Sequence, residues 1–360
     1  MSSGPEIEID IAPTLGWPRA VQVDPRIGWP NVPRETLDWP SKAASLPDAA
    51  IEAPAAPAIR PAGPRRAHFD EDEFAAPPTE PDIEVSRETA RETAFPAPAN
   101  PRVFVVANQK GGVGKTTTVV NLAAALALGG LRVLVVDLDP QGNATTALGI
   151  DHPSGTPGTY EILLEGGAIS DLVVDSPEAP GLKVLPATID LAGAEIALVS
   201  VVARESRLSR ALQAFLSKHS VDYVFLDCPP SLGLLTVNAL VAASEILIPI
   251  QCEYYALEGV SQLTRTIEAV KGELNEKLRL TTVLLTMYDA RTRLAAQVAD
   301  EVRQHFPVQT LTTVIPRSVR ISEAPSYGQT VLTYHPDSAG SVSYLTAASE
   351  VAARGAKEKQ

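Results

Sequence analysis

The run Lys110-Gly111-Gly112-Val113-Gly114-Lys115-Thr116-Thr117 has the residue types needed to wrap a chain of phosphates. Its glycines let successive backbone N–H groups turn inward without Cβ clashes, Lys115 supplies a cation, and the Thr116 hydroxyl can reach Mg²⁺. The run follows G-x-x-x-x-G-K-[ST] except at its start, where Gln109 stands for the first glycine and an additional lysine, Lys110, comes next. A lysine beside two glycines is by itself only a solvated loop charge. Here an apolar run, Val103-Phe104-Val105-Val106, leads into it and Val-Gly-Lys-Thr-Thr follows.

Acids stand where such a loop needs them. Asp137-Leu138-Asp139-Pro140-Gln141-Gly142-Asn143 closes a second apolar run, and Val224-Phe225-Leu226-Asp227-Cys228-Pro229-Pro230-Ser231 closes a third. Phosphoryl transfer needs little covalent help beyond placing the nucleophile in line and neutralising charge. Asp139 is therefore expected to orient or activate the attacking water, Asp137 to support Mg²⁺ through its water shell, and Asp227 to hold the metal shell together with Thr116. An aspartate at a strand end can equally cap the next helix. Coupling Asp227 to Asp-x-Pro-Pro-Ser and to the upstream loop is what lifts it above that plain reading.

These residues need a frame, and from Pro101 onward apolar strand-like runs alternate with stretches of helical period. That is the pattern of an α/β fold with a mostly parallel sheet flanked by helices. The runs predict strands at Val103–Val106, Arg132–Val136, Tyr223–Leu226, Glu245–Pro249 and Arg279–Leu285, and helices at Thr117–Leu128, Glu205–Leu216 and Leu257–Leu274. Gly129-Gly130 and Pro229-Pro230 supply stops. In open α/β sheets ligands bind at the carboxyl ends of the strands, and every chemistry-bearing run falls there.

Composition divides the 360-residue chain. The first hundred residues hold 17 of the 31 prolines, and 17 acidic against 9 basic side chains give them −8 of the net −13. Such a segment buries too little apolar surface to offset its ordering entropy, so residues 1–99 are expected to be a long disordered N-terminal tail, with the folded domain at 100–356. All three tryptophans lie in that tail, in Gly16-Trp17-Pro18, Gly28-Trp29-Pro30 and Asp38-Trp39-Pro40, a loose repeat suited to docking a partner or left over in a linker. Asp70-Glu71-Asp72-Glu73 reads as a solvated spacer. Cys228 and Cys252 sit in separate apolar contexts and read as reduced core thiols. With no run of roughly 18–20 apolar residues and no basic, apolar leader, the expectation is a cytoplasmic protein. The net negative charge confines any nucleic-acid contact to a local basic patch.

The double-lysine loop, Lys110-Gly-Gly-Val-Gly-Lys115-Thr-Thr, resembles the deviant phosphate loop of the ParA/MinD class of P-loop ATPases. Further runs, Thr286-Met287-Tyr288-Asp289-Ala290-Arg291-Thr292 and Ile315-Pro316-Arg317-Ser318-Val319-Arg320-Ile321-Ser322-Glu323-Ala324-Pro325-Ser326-Tyr327-Gly328, are similar to late signatures of ParA/Soj partition ATPases. The resemblance covers about residues 101 to 354 and implies a P-loop NTPase-like fold, ATP and Mg²⁺ as cofactors, and an ATP-sandwich homodimer. It implies that Lys110 reaches the partner's nucleotide while Lys115 and residues 111–117 bind phosphates in their own chain. Pro316 and the residue two beyond would line the adenine; that residue is Ser318, where close relatives often carry Asn. Arg291 and Arg320 match positions that bind DNA nonspecifically on the nucleoid once ATP has closed the dimer, and Arg293, Arg303 and Arg317 could extend the patch. A ParB-like centromere-binding partner would stimulate hydrolysis, driving chromosome or plasmid segregation.

Two other uses of the same engine come from the same resemblance. A MinD-like positioning ATPase would work on a membrane, for which residues 341–360 offer Val342, Leu345 and Val351 among alanines but no bulky apolar face flanked by lysines. A ParA-like ATPase could instead position a protein cluster. An N-terminal helix-turn-helix is excluded by the proline density of residues 1–99.

Overall fold

The computed structural model describes residues 94–254 and 258–357. The Trp-Pro repeats at Trp17, Trp29 and Trp39, the acidic run 70–73 and nearly all of the expected tail lie outside the described residues. In chain order, β1 (Arg102–Val106) leads to α1 (Lys115–Leu128), and β2 (Val133–Asp137) to three short helices, α2 (Asn143–Ala147), α3 (Thr159–Leu164) and α4 (Ile169–Leu172). Then come β3 (Val174–Asp175), β4 (Leu182–Leu185), α5 (Ala194–Leu198), α6 (Arg207–Leu216), β5 (Tyr223–Asp227), α7 (Leu234–Ala242) and β6 (Glu245–Gln251). The rest is α8 (Glu258–Glu273), β7 (Arg279–Tyr288), α9 (Arg293–His305), β8 (Thr310–Pro316), α10 (Val319–Glu323), α11 (Val331–Tyr334) and α12 (Ala339–Lys357).

Strands that read as continuous apolar runs are covered on both faces, and β1, β2 and β5 are buried at every position. They form the middle of an eight-stranded sheet ordered β3-β4-β2-β5-β1-β6-β7-β8, parallel throughout except for the two-residue β3. Alternation along each strand splits the core. Val103, Val105, Val224 and Leu226 face α6 to α9, whereas Phe104, Val106, Val135 and Phe225 face α1 and α12. On that second face Phe104 stacks on Phe225 at 5.6 Å.

Three strands escape the apolar-run reading for physical reasons. β3 is two residues long, β4 carries Lys183, and β8 contains three threonines, so none presents a long apolar run. α1 begins at Lys115 rather than Thr117, which puts both phosphate-loop residues of interest in the first helical turn. The ordered body reaches back at least to Phe95, whose N–H donates to the Gly129 carbonyl at 2.9 Å while its ring covers Gly129. Among the described residues no helix is long and apolar enough to cross a membrane.

Candidate functional site

Parallel register sets the site. Asp227 pairs with Val106 on one side and Asp137 on the other, so the carboxyl ends of β1, β5 and β2 lie side by side. The chain leaving β1 makes the loop 107–114, in which Gly112 (φ 73°) and Gly114 (φ 89°) adopt left-handed backbone that a side chain would strain. A Cβ at Gly111 or Gly112 would meet nothing within 4 Å, so the loop encloses open space. α1 starts from Gly114 with no side-chain cap and no acid in its first turn. Its N–H groups and dipole therefore remain available to an anion.

Two side chains hold the loop in shape. Asn108 donates to the Pro249 carbonyl (2.8 Å) and accepts from the Lys110 N–H (3.0 Å), and the Thr286 hydroxyl donates to the Val113 carbonyl (2.9 Å). The bonds to Pro249 and Val113 are not legible in the sequence, because those partners are more than 100 residues away from the side chains that reach them. The nearest signal is position: both stand at the end of an apolar strand, where a polar side chain needs a reason.

The charges inside are few and tightly held. Lys115 is 8 % exposed, and burial lowers its pKa against the pull of Asp227, Cys228 and Asp139. Asp137 is fully buried with both oxygens in use. One accepts from the Asp139 N–H at 3.0 Å; the other accepts from the Thr145 N–H and hydroxyl at 2.9 and 2.7 Å. Burial pushes its pKa up to about 6. Asp137 thus anchors the turn that carries Asp139. Asp139 accepts from the Gln141 N–H at 3.0 Å through one oxygen.

Asp227 is different. It is fully buried and neither carboxylate oxygen accepts a hydrogen bond; the Thr116 hydroxyl lies beside it without completing one. Burial, then the charge of Asp137, raise its pKa well above the usual carboxylate range, while Thr116 and Lys115 pull it down. A buried carboxylate without donors is tolerable only if a proton or a cation completes it. Among the described residues no cluster of three or more His, Cys, Asp or Glu forms a metal cage. One aspartate, one hydroxyl and an adjacent phosphate loop suit Mg²⁺, which keeps its waters and takes much of its coordination from nucleotide phosphates. The residues present fit the group.

Raised carboxylate pKa values carry a stability consequence. A folded-state pKa above the unfolded value means the stabilising proton is fully bound below about 4 and lost as pH rises through the folded-state pKa, about 6 for Asp137; Asp227 is shifted in the same direction. Without metal or nucleotide the chain is expected to melt at lower temperature as pH rises from 5 to 8. Asp137 alone accounts for at most about 3 kcal/mol of this. Asp227→Asn should flatten that decline and raise the pH 8 melting point; a decline of unchanged slope in the variant would contradict the assignment.

The other expected residues sit around this centre. Lys110 lies 3.8 Å from a carboxylate oxygen of Glu253, which also accepts from Arg317 at 2.6 Å. Pro316 ends β8 and the half-buried Ser318 precedes α10 without capping it, leaving its hydroxyl uncommitted to the helix start. Arg291 is 86 % exposed and clasped by Asp289, which it holds at a pKa of about 2; Arg320 is exposed and paired with Glu323 at 3.0 Å. Both arginines thus carry an acid that a phosphate would have to displace, a small cost for exposed pairs. Arg303 pairs with Asp300 and Arg317 with Glu253, and Arg293 opens α9. Cys228 and Cys252 are buried and free, their thiols pushed up by burial.

A parallel sheet whose phosphate-binding loop opens α1, with a Walker-B-type aspartate on the neighbouring strand, defines the class of P-loop nucleotide-binding proteins. Residues 101–280 match the family described as "AAA domain". Two relatives cover the folded part at high identity: the sporulation initiation inhibitor protein Soj of Bacillus subtilis, 53 % identical over 71 % of this chain and 99 % of its own, and the chromosome partitioning protein ParA of Caulobacter vibrioides, 51 % identical over 71 % and 96 %. A solved structure described as cobyrinic acid a,c-diamide synthase from Mycobacterium smegmatis, with bound ATP analogue and magnesium, is 41 % identical with a TM-score of 0.62 over 72 % of this chain and 97 % of its own. The chain belongs to the ParA/Soj family of partition ATPases.

Proposed function

We infer that this chain is an Mg²⁺-dependent ATPase whose two copies clasp a pair of ATP molecules, bind DNA nonspecifically in that state, and release it after hydrolysis stimulated by a ParB-like partner. The observation that carries the reading is the buried, donor-less Asp227 beside Thr116, Lys115 and an open glycine loop with an uncapped helix behind it. In this reading residues 111–117 cradle the phosphates through backbone N–H groups, and Lys115 neutralises them in the same chain. Thr116 and Asp227 hold the ion, and Asp137 steadies the turn bearing Asp139. Asp139 keeps one oxygen outside the turn's hydrogen bonds, and with it orients the attacking water. Magnesium, when bound, would offset charge building on the transferred phosphoryl group. Lys110 leaves Glu253 to reach the partner's nucleotide, and Pro316 and Ser318 bound the adenine. Hydrolysis assays with duplex DNA and a ParB-like protein, added singly and together, test the reading; turnover indifferent to both would oppose it.

Arg291 and Arg320 follow the carboxyl ends of β7 and β8, on the rim that carries the phosphate loop. Acting in both protomers they make four phosphate contacts, and log affinity against log salt should fall with a slope of about −3.6. Replacing both by Glu is expected to leave an ATP-dependent dimer that no longer retains DNA; an unchanged salt titration would count against it. The membrane-bound alternative is less well supported. The apolar face of α12, with Tyr344, Ala347, Ala348, Val351 and Ala352, is buried against the body rather than free to enter a bilayer. Whether the cargo is DNA or a protein cluster is decided by imaging a tagged chain beside a labelled centromere, with and without residues 1–99.

A further inference from the structure

A cavity of about 350 Å³ opens between α6 and the loop joining α3 to α4, and none of its lining residues belongs to the phosphate loop or its acids. Its α6 wall consists of Arg207, Arg210, Ala211, Ala214 and Phe215, and Lys218 adds to it from the turn that follows the helix. Within the helix that spacing, i, i+3, i+4, i+7, i+8, is one continuous face. Leu208, Leu212 and Phe215 pack α6 on the core, and on the adjoining face the two alanines thin the middle into a groove. Ile162 and Ile169, both buried, make the floor with Phe215, on which His219 stacks at 4.4 Å.

The charges on this face have no local account. Arg207, Arg210 and Lys218 form no ion pair among the described residues, and no Asp or Glu lines the cavity. The Nε of Arg207 is buried without an acceptor, its guanidinium lying 3.6 Å from where a side chain at Gly166 would begin. α6 has no acid in its first turn, and cations there oppose the helix dipole. An anionic occupant relieves all three: it supplies the missing acceptor, balances the unpaired cations and complements the helix start.

Arg207 opens α6 and Lys218 stands two residues past its end at Leu216, so the two are separated by roughly the length of the helix, about 14 Å. One phosphate or carboxylate cannot touch both; an extended peptide covers that span in about five residues. A nucleic-acid backbone would match the cations but leave the floor of Ile162, Ile169 and Phe215 without apolar contact. We propose that this groove is a docking site for an acidic peptide segment of a partner protein, carrying carboxylates for Arg207, Arg210 and Lys218 and one apolar or aromatic anchor for the floor between Ala211 and Phe215.

The test uses a fluorescein-labelled peptide of about eight Asp and Glu residues around one Phe, a matched peptide with Ser for every acid, and a labelled short duplex. They are titrated into the full chain and into a full chain with Asp70-Glu71-Asp72-Glu73 neutralised, so that its own acids cannot compete. The acidic peptide should bind saturably and salt-sensitively, and the Ser peptide should not. Arg210→Glu with Lys218→Glu, both exposed positions, should weaken binding at least about tenfold, and Ala214→Trp should weaken it by filling the groove. Melting temperature and basal ATPase should stay at wild-type values in each; Arg210→Gln with Lys218→Gln replaces the charge reversal if that disturbs α6. Absence of peptide binding in both chains, equal binding of the Ser peptide, or loss of duplex binding with peptide binding intact would each overturn the proposal.

Discussion

Lys115→Ala is expected to abolish measurable Mg-ATP binding. Lys115 lies in the first turn of α1, 8 % exposed, with Asp227 and Asp139 as its charged neighbours and open space enclosed by glycines ahead of it. Removing one member of a buried charge set costs about 3–5 kcal/mol because the remaining charges are left uncompensated. In affinity that is a loss of about a hundredfold to several thousandfold. The variant also leaves Asp227 with one fewer opposing cation, so its metal-free form should hold that proton more tightly. Isothermal titration of ATP with Mg²⁺ decides the matter: a dissociation constant within a few-fold of wild type would remove Lys115 from the site.

Asp139→Ala is expected to separate binding from turnover. The carboxylate lies at the rim, 9 % exposed, fixed by one hydrogen bond from the Gln141 N–H, and the anchoring of the turn belongs to Asp137 and Thr145. Its loss should therefore spare the phosphate cradle and cost about 10²–10⁴-fold in hydrolysis, the range for a positioned acid or base. The variant should accumulate as an ATP-bound dimer retained on DNA. Rapid turnover by it would refute the assignment, and failure to bind ATP would move Asp139 into the cradle.

Much of this site was legible because its chemistry is local. The glycine spacing, Lys115, Thr116 and the aspartates closing apolar runs are all read within a few residues, and parallel register then brings Asp137 and Asp227 together. What escaped was non-local. The Thr286 clasp on Val113, the Asn108 link to Pro249 and the pairing of Lys110 with Glu253 join points 141 or more residues apart, and no periodicity encodes them. The arginines are a different case: their acidic partners Asp289 and Glu323 lie only two and three residues away, and what the fold adds is the geometry that closes these pairs. β3 and β8 were missed because edge positions relax the demand for apolar runs, and β4 because it is four residues long and interrupted by Lys183. Asp137 also has a task its strand-end position does not reveal: its oxygens accept from Thr145 and from the Asp139 N–H and so hold the turn.

The claim on which the account rests is that two copies close around ATP, each lending Lys110 to the other. Sedimentation of the Asp139→Ala chain with saturating Mg-ATP tests it most directly. The account predicts a species of twice the 38.1 kDa chain mass, reverting to single chains with ADP or when Lys110→Ala is added. Single chains alone under saturating Mg-ATP, with ATP demonstrably bound, would contradict it.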